Sequence, residues 1–400
     1  MRIPFGYIGL TDKSRTLINE ALDKNMLTSG KLVAKFENEF AEFVGTSEAV
    51  AVSSGTDAII IALAALHDFG ALDGKEVIVP ALSFIATANA ILHAGFEPTF
   101  VDINRETLNI EVSKIPEKIN RAVCAILPVH LMGKPADMVG INALAAAWQI
   151  PVIEDAAEAH GAKLNGRNIG TMGVAGCFSL YAAHIITSIE GGMITTNNPQ
   201  FAEICRSLRN HGRASCNCKI CINDKTPEKC EKRFKDGQDR RFIHDRIGYS
   251  SKMNELEAAV GLGSMEQANW IIEKRRENFY YLRKELDRFD RLYSITEYSN
   301  EKIGPHAFPI IFREATDERD KLGNYLADKG VDSRTMFQCI PTQSRAYTRY
   351  RYGPDNQPDS FYPNAEHVAS NGLHIGIHQG IGKEECQYII KTLEKYFLLK

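Results

Sequence analysis

Short β-branched runs alternate with helical patterns through the first half of the chain. Residues 49–52, 77–79, 98–103, 124–129, 152–154, 176–180 and 193–196 read as strands. Residues 12–24, 57–69, 86–94 and 139–148 read as helices. Strands and helices that alternate at this spacing build an α/β domain whose mostly parallel sheet is covered by helices. The connections are short, as compact α/β units prefer. No internal repeat and no Pro- or Ser-rich linker interrupts them. From 215 to 246 the texture changes to a charged, cysteine-bearing stretch without periodicity, which reads as an insertion. Residues 254–286 then have the pattern of one long helix or two, and from 305 to 400 strand and helix patterns alternate again. The expectation is a large domain over 1–265, with a Cys-rich insertion at 213–246, and a smaller C-terminal α/β domain over 266–400.

Composition excludes several classes. The 400 residues carry 47 Lys+Arg against 50 Asp+Glu, a net charge of −3, so no global basic field attracts nucleic acid. The most apolar run, residues 58–66, is too short to span a bilayer. The opening MRIPFGYIGLTDKSR has no apolar signal core, so the expected location is cytoplasmic. Four of the nine cysteines fall between Cys216 and Cys230. In a cytosolic chain that density points to metal rather than disulfides.

Three motifs carry chemistry. Ser54-Gly55-Thr56-Asp57 stands between a strand and a helix. It is either a plain N-cap turn or an anion site, since free backbone N–H groups and the positive dipole end converge there. Glu154 and Asp155 close a buried strand, where open α/β sheets bind ligands. Burying a carboxylate there is costly without a positive partner such as a protonated pyridine nitrogen, unless Asp155 serves as a helix cap. His184 follows the strand ending at Leu180 and precedes the turn Glu190-Gly191-Gly192. It is a structural histidine or a base.

Together these motifs resemble the DegT/DnrJ/EryC1/StrS family of sugar aminotransferases and dehydratases. The resemblance extends through Met26–Gly30, Phe36-Glu37, Pro80–Thr87 and Arg209-Asn210-His211-Gly212. It implies the fold of type I pyridoxal-phosphate enzymes and a homodimer. It also implies that Gly55, Thr56 and Ser179 hold the cofactor phosphate, that Phe84 lies against the pyridine ring, and that Asp155 pairs with the ring nitrogen. Glu158 stands where many relatives carry glutamine and would also contact the cofactor. Ser250 stands where relatives carry an asparagine that reaches the neighbouring subunit's phosphate. His184 occupies the position of the Schiff-base lysine. Imidazole cannot form a stable imine but can act as a base near neutral pH.

Histidine at that position is similar to the sugar 3-dehydratases. The insertion, with Cys216, Cys218, Cys221 and Cys230, is similar to the iron–sulfur branch, the CDP-4-keto-6-deoxyglucose 3-dehydrases. Residues 373–381 share that likeness. Four cysteines suffice for one 2Fe–2S cluster, and four thiolates also suit a structural zinc. Cys124, Cys177, Cys205, Cys339 and Cys386 lie in apolar patterns and read as packing residues. The resemblance implies a pyridoxamine-phosphate-dependent 3-dehydratase of a nucleotide-linked 4-keto-6-deoxyhexose, with a reductase or ferredoxin as electron donor. Arg209, Arg213 and the basic stretch 229–241 are sources of cations for the diphosphate, or solvated surface charge. The alternatives are a cluster-free, glutamate-dependent 3-dehydratase with structural zinc, and a cofactor-binding relative without turnover.

Overall fold

The computed structural model describes residues 1–69, 74–214, 234–235, 237–239, 242–350 and 362–398. Strands β1 (Glu48–Val52), β2 (Glu76–Pro80), β3 (Glu97–Val101), β4 (Val123–Ile126), β5 (Ile153–Asp155), β6 (Ala175–Ser179) and β7 (Gly192–Thr196) build the main sheet. β2 pairs in parallel with β3 and β4, and β5 with β6. Parallel bridges from Ile126 to Val152 and from Val129 to Asp155 carry the pairing from β4 to β5. The spatial order is therefore β3-β2-β4-β5-β6-β7-β1. Only β7 runs against its neighbours β6 and β1. Val50, Val52, Val77, Val79, Ala125 and Ile153 are wholly buried, as strands covered on both faces require.

Helices α1 (Asp12–Asp23), α2 (Lys31–Val44), α3 (Gly55–Ala65), α4 (Ile85–His93), α5 (Met138–Trp148) and α6 (Pro199–Leu208) belong to this half. In α2 the buried set Val33, Phe36, Phe40, Ala41 and Val44 follows the helical period and makes one apolar stripe. α3 is buried all round from Ala58 to Ala65, because it is packed between the sheet and α4 and α6. The stretch that read as one long helix or two is two. α7 (Glu255–Glu266) opens with a capping box at Asn254 and Glu257, and α8 (Ala268–Leu286) follows after Gln267.

A second sheet contains β8 (Leu292–Tyr293), β9 (Ala307–Phe312), β10 (Ser333–Thr335) and β11 (Gly372–Gly376) in the order β8-β9-β11-β10. Every pairing in it is antiparallel. The strand–helix alternation of this segment is real: α9 (Glu318–Asp328) joins β9 to β10, and α10 (Pro363–Asn371) precedes β11. β9 and β10 run the same way, and β11 enters between them in the opposite sense. α11 (Lys383–Leu398) closes the chain as described. One apolar cluster includes Val50, Val79 and Ile153 of the main sheet with Ile310 and Ile375 of the second. Among the described residues no helix is long and apolar enough to cross a membrane.

Candidate active site

A cavity of about 580 Å³ opens at the carboxyl ends of β1, β5 and β6. This is where an open α/β sheet presents loops and helix N-termini to a ligand. After β1 the chain turns through Ser54, whose Oγ accepts the Asp57 N–H at 3.0 Å. The N-cap turn expected from the sequence is thus present, and the anion site coexists with it. Asp57 takes up the local hydroxyls, accepting from Ser53 at 2.6 Å, Ser54 at 2.9 Å and Ser251 at 3.1 Å. Gly55 and Thr56 line the cavity at the first turn of α3, whose N–H groups have no partner within the helix.

Two close approaches explain the glycines. A Cβ on Gly55 would meet the Cβ of Ser179 at 2.6 Å, and one on Gly192 would meet the Ser54 carbonyl oxygen at 2.1 Å. The Ser54–Asp57 turn is therefore packed directly on the end of β6 and the start of β7.

The acidic pair is split by the pleat, since successive strand residues face opposite sides. Glu154 turns away from the cavity. It accepts N–H bonds from Gly170 at 2.8 Å and from Met172 and Gly173 at 2.7 Å, and it lies 3.2 Å from His130 Nε2. Burial pushes its pKa upward, but the His130 and backbone bonds outweigh that and hold it below the ordinary value. Glu154→Ala would leave those buried donors unpaired, and we expect a loss of about 3–5 kcal/mol in urea unfolding. A carboxylate with a depressed folded pKa adds stability above its unfolded pKa. That stability is lost as pH falls through the folded value. The gap between wild type and variant should therefore shrink on acidification.

Asp155 faces the cavity and is 4% exposed. It accepts from the Thr87 hydroxyl at 2.8 Å and the Ala157 N–H at 3.2 Å, and Thr87 is itself linked to Ser83 at 2.7 Å. Burial raises its pKa in spite of those bonds. A buried carboxylate in this state is suited to a cationic ligand atom. Phe84 presents its ring at the start of α4, 5.7 Å from that of Phe337. An anion cradle, an aromatic wall and a carboxylate that lacks a cation fit a phosphorylated pyridine ring.

His184 lies at the same cavity, partly buried, with its Nδ1 enclosed and without a bond. None of the described lining residues is a lysine. Its ring stands 4.7 Å from that of His306. Glu158 accepts the Met132 N–H at 2.7 Å and lies 3.8 Å from His306 Nε2, beyond hydrogen-bond reach. Its pKa is pushed up to about 8, first by burial, with the Met132 N–H pulling down and the charge of Asp155 pushing up.

Gly55, Thr56, Phe84, Asp155, Glu158, Ser179 and His184 thus share one cavity. Ser250 does not line it; it is exposed and bridges to Asn210. Arg209 is not free to meet a diphosphate, because it is buried in an ion pair with Glu37 and donates to the Ala51 carbonyl. Cys216, Cys218, Cys221 and Cys230 lie outside the described residues. The other five cysteines are buried, as packing residues should be. Sequence reasoning missed Thr87, His306, Arg334, Phe337 and His374, all of which line the cavity. Thr87 was within reach, one helical turn beyond Phe84. The other four come from the second sheet and its flanks, far along the chain from the motifs.

The model of the DegT/DnrJ/EryC1/StrS aminotransferase family matches residues 10–394. Over 396 residues the chain is 33% identical to the GDP-perosamine synthase of Escherichia coli O157:H7, covering 99% of this chain and 98% of that one. It is 30% identical over 390 residues to the GDP-4-keto-6-deoxy-D-mannose 3-dehydratase of Yersinia pseudotuberculosis, covering 96% of each. The structure of the E. coli GDP-4-keto-6-deoxy-D-mannose-3-dehydratase with bound hydrated PLP matches with a TM-score of 0.86 and 27% identity, covering 98% of this chain and 99% of that one. Whole-chain matches of this kind lead to one conclusion: the chain belongs to the DegT/DnrJ/EryC1/StrS aminotransferase family and has the fold of its pyridoxal-phosphate-dependent enzymes.

Proposed function

We propose that this chain is a pyridoxamine-phosphate-dependent 3-dehydratase of a nucleotide-linked 4-keto-6-deoxyhexose. Overall identity does not choose between the aminotransferase and dehydratase relatives, at 33% and 30%. His184 carries the reading. A transaminating enzyme holds its cofactor through a primary amine, and the cavity offers an imidazole and no lysine among its described lining residues. Gly55, Thr56 and Ser179 would hold the phosphate, Phe84 the ring face, and Asp155 the ring nitrogen. Glu158, neutral near pH 7, would offer a proton beside the ring. Bound pyridoxamine phosphate supplies an amine for the C4 ketone and an electron sink. His184 would be the base that accepts the proton released as the C3 hydroxyl departs. The homodimer and the cross-subunit contact of Ser250 belong to this reading on the strength of family resemblance.

The relatives are named for GDP-sugars, so GDP-4-keto-6-deoxymannose with added pyridoxamine phosphate is the first substrate to test. The expected product has lost the C3 oxygen. A product with an amine at C4 and the C3 hydroxyl intact would make the chain an aminotransferase, and an unchanged cofactor spectrum would make it a binding protein.

The reading also assigns a 2Fe–2S cluster to Cys216, Cys218, Cys221 and Cys230, served by a reductase or ferredoxin. Its support is the cysteine spacing in the sequence. Such a cluster supplies single electrons. Anaerobically purified protein is expected to contain iron and sulfide in equal amounts. Zinc without sulfide would replace this with the glutamate-dependent dehydratase.

A further inference from the structure

Behind His184 lies a charged side chain that the roles above leave unused. Arg275, on α8, is 1% exposed. Its Nη1 donates to the backbone carbonyl of His306 at 2.8 Å and its Nη2 to that of His184 at 3.4 Å. Its Nε has no hydrogen-bond partner, and among the described residues no carboxylate pairs with it. Two carbonyls are a poor exchange for water around a guanidinium, and a buried charge ordinarily has a counter-ion. The site holds the cation in spite of that cost.

We propose that Arg275 is a positioning residue that clamps the His184 loop to the start of β9 and, as a buried cation without a counter-ion, keeps His184 in its neutral, proton-accepting form. The proposal rests on the dehydratase reading for its purpose, though not for its test. The clamp is direct, since the two carbonyls belong to the two histidines whose rings face each other at 4.7 Å. The charge acts through the low dielectric of the interior, where a second positive charge is disfavoured.

Among the described groups that face His184, only the backbone bond to Ala157 opposes that effect. His160, His306 and Tyr181 approach it with their rings, and Arg275 and Arg334 add positive charge. Glu158 lies beyond His306 and, with its pKa near 8, brings no negative charge at neutral pH. The His184 pKa is accordingly pushed down to about 4, by burial first, with a backbone bond to Ala157 pulling up and the charges of Arg275 and Arg334 pushing down. A neutral imidazole is able to accept a proton. Once protonated in this setting, it is a stronger acid than free imidazolium. It would then be able to return that proton to a departing hydroxyl, which would leave as water.

Histidine-labelled protein, titrated by NMR, tests this without requiring turnover. The His184 resonance is identified by its loss in His184→Asn. In the wild type it is expected to titrate below pH 5; titration near the ordinary value of about 6.5 would overturn the proposal. In Arg275→Met the midpoint is expected to rise by about one unit or more, and in Arg275→Lys, which keeps the charge, to stay low. If Arg275→Met does not fold, Arg275→Gln provides the neutral replacement with one carbonyl bond retained. A midpoint unmoved in the neutral variant would leave Arg275 a structural clamp only and refute the electrostatic role. If the protein fails to dehydrate any 4-keto sugar, the dehydratase reading falls while the titration still decides this proposal.

Discussion

His184→Asn is expected to lower C3 dehydration roughly a thousandfold, about 4 kcal/mol in the barrier, while leaving cofactor affinity within a few-fold. The separation follows from the layout of the cavity. In the proposed reading Gly55, Thr56 and Ser179 would hold the phosphate and Phe84 and Asp155 would meet the ring; all five line the cavity apart from His184, so none of the holding groups is removed. The amide of asparagine cannot accept a proton near neutral pH. The backbone carbonyl of residue 184 remains, so Arg275 keeps its bond and the loop its place. Cofactor absorbance and single-turnover kinetics measure both quantities on one sample. A rate loss under tenfold would be too small for an essential base, and loss of the cofactor would make His184 a binding residue instead.

The parts of this site that were legible in the sequence share one property: each is local. Strands buried on both faces announce themselves as short apolar runs. The residues after such strands lie at the mouth of the sheet whatever the rest of the chain does. That is why Ser54–Thr56, Asp155 and His184 stand out in the sequence, while the family resemblance added Ser179 and joined them into one site. The pleat also guarantees that Glu154 and Asp155 face opposite ways, but only the fold decides which one meets the ligand. The reversed direction of β7 and the insertion of β11 between β9 and β10 depend on pairings between distant segments. So do His306, Arg334, Phe337 and His374, which reach the cavity from the second sheet or its flanks. Arg209 misled for a related reason. It stands at the end of α6 before the polar Asn210 and His211, and its ion pair is with Glu37 on α2, far back in the chain.

Asp155→Asn should produce two effects of opposite sign. In the cofactor-free protein Asp155 is a buried carboxylate with two hydrogen bonds and no cation, and burial raises its pKa. Asparagine can still accept from Thr87 and carries no charge. The cofactor-free variant is therefore expected to be more stable than wild type by about 1–3 kcal/mol at neutral pH, read from urea midpoints. The sign with pH follows from the raised folded pKa. Between the unfolded and folded values the native protein binds more protons than the unfolded chain, so its stability falls as pH rises through that window. The advantage of asparagine should grow across the same window and disappear below the unfolded value of about 4. With the cofactor the order reverses. A protonated pyridine nitrogen gives wild-type Asp155 the cation it lacks, whereas an amide leaves that charge uncompensated in a buried site. Loss of the pair is expected to weaken cofactor binding by about 3–5 kcal/mol, on the order of a hundred- to a thousandfold. Dehydration should fall at least as far even at saturating cofactor, because a neutral pyridine is a poorer electron sink. Equal cofactor affinity in variant and wild type would mean that Asp155 does not meet the ring nitrogen.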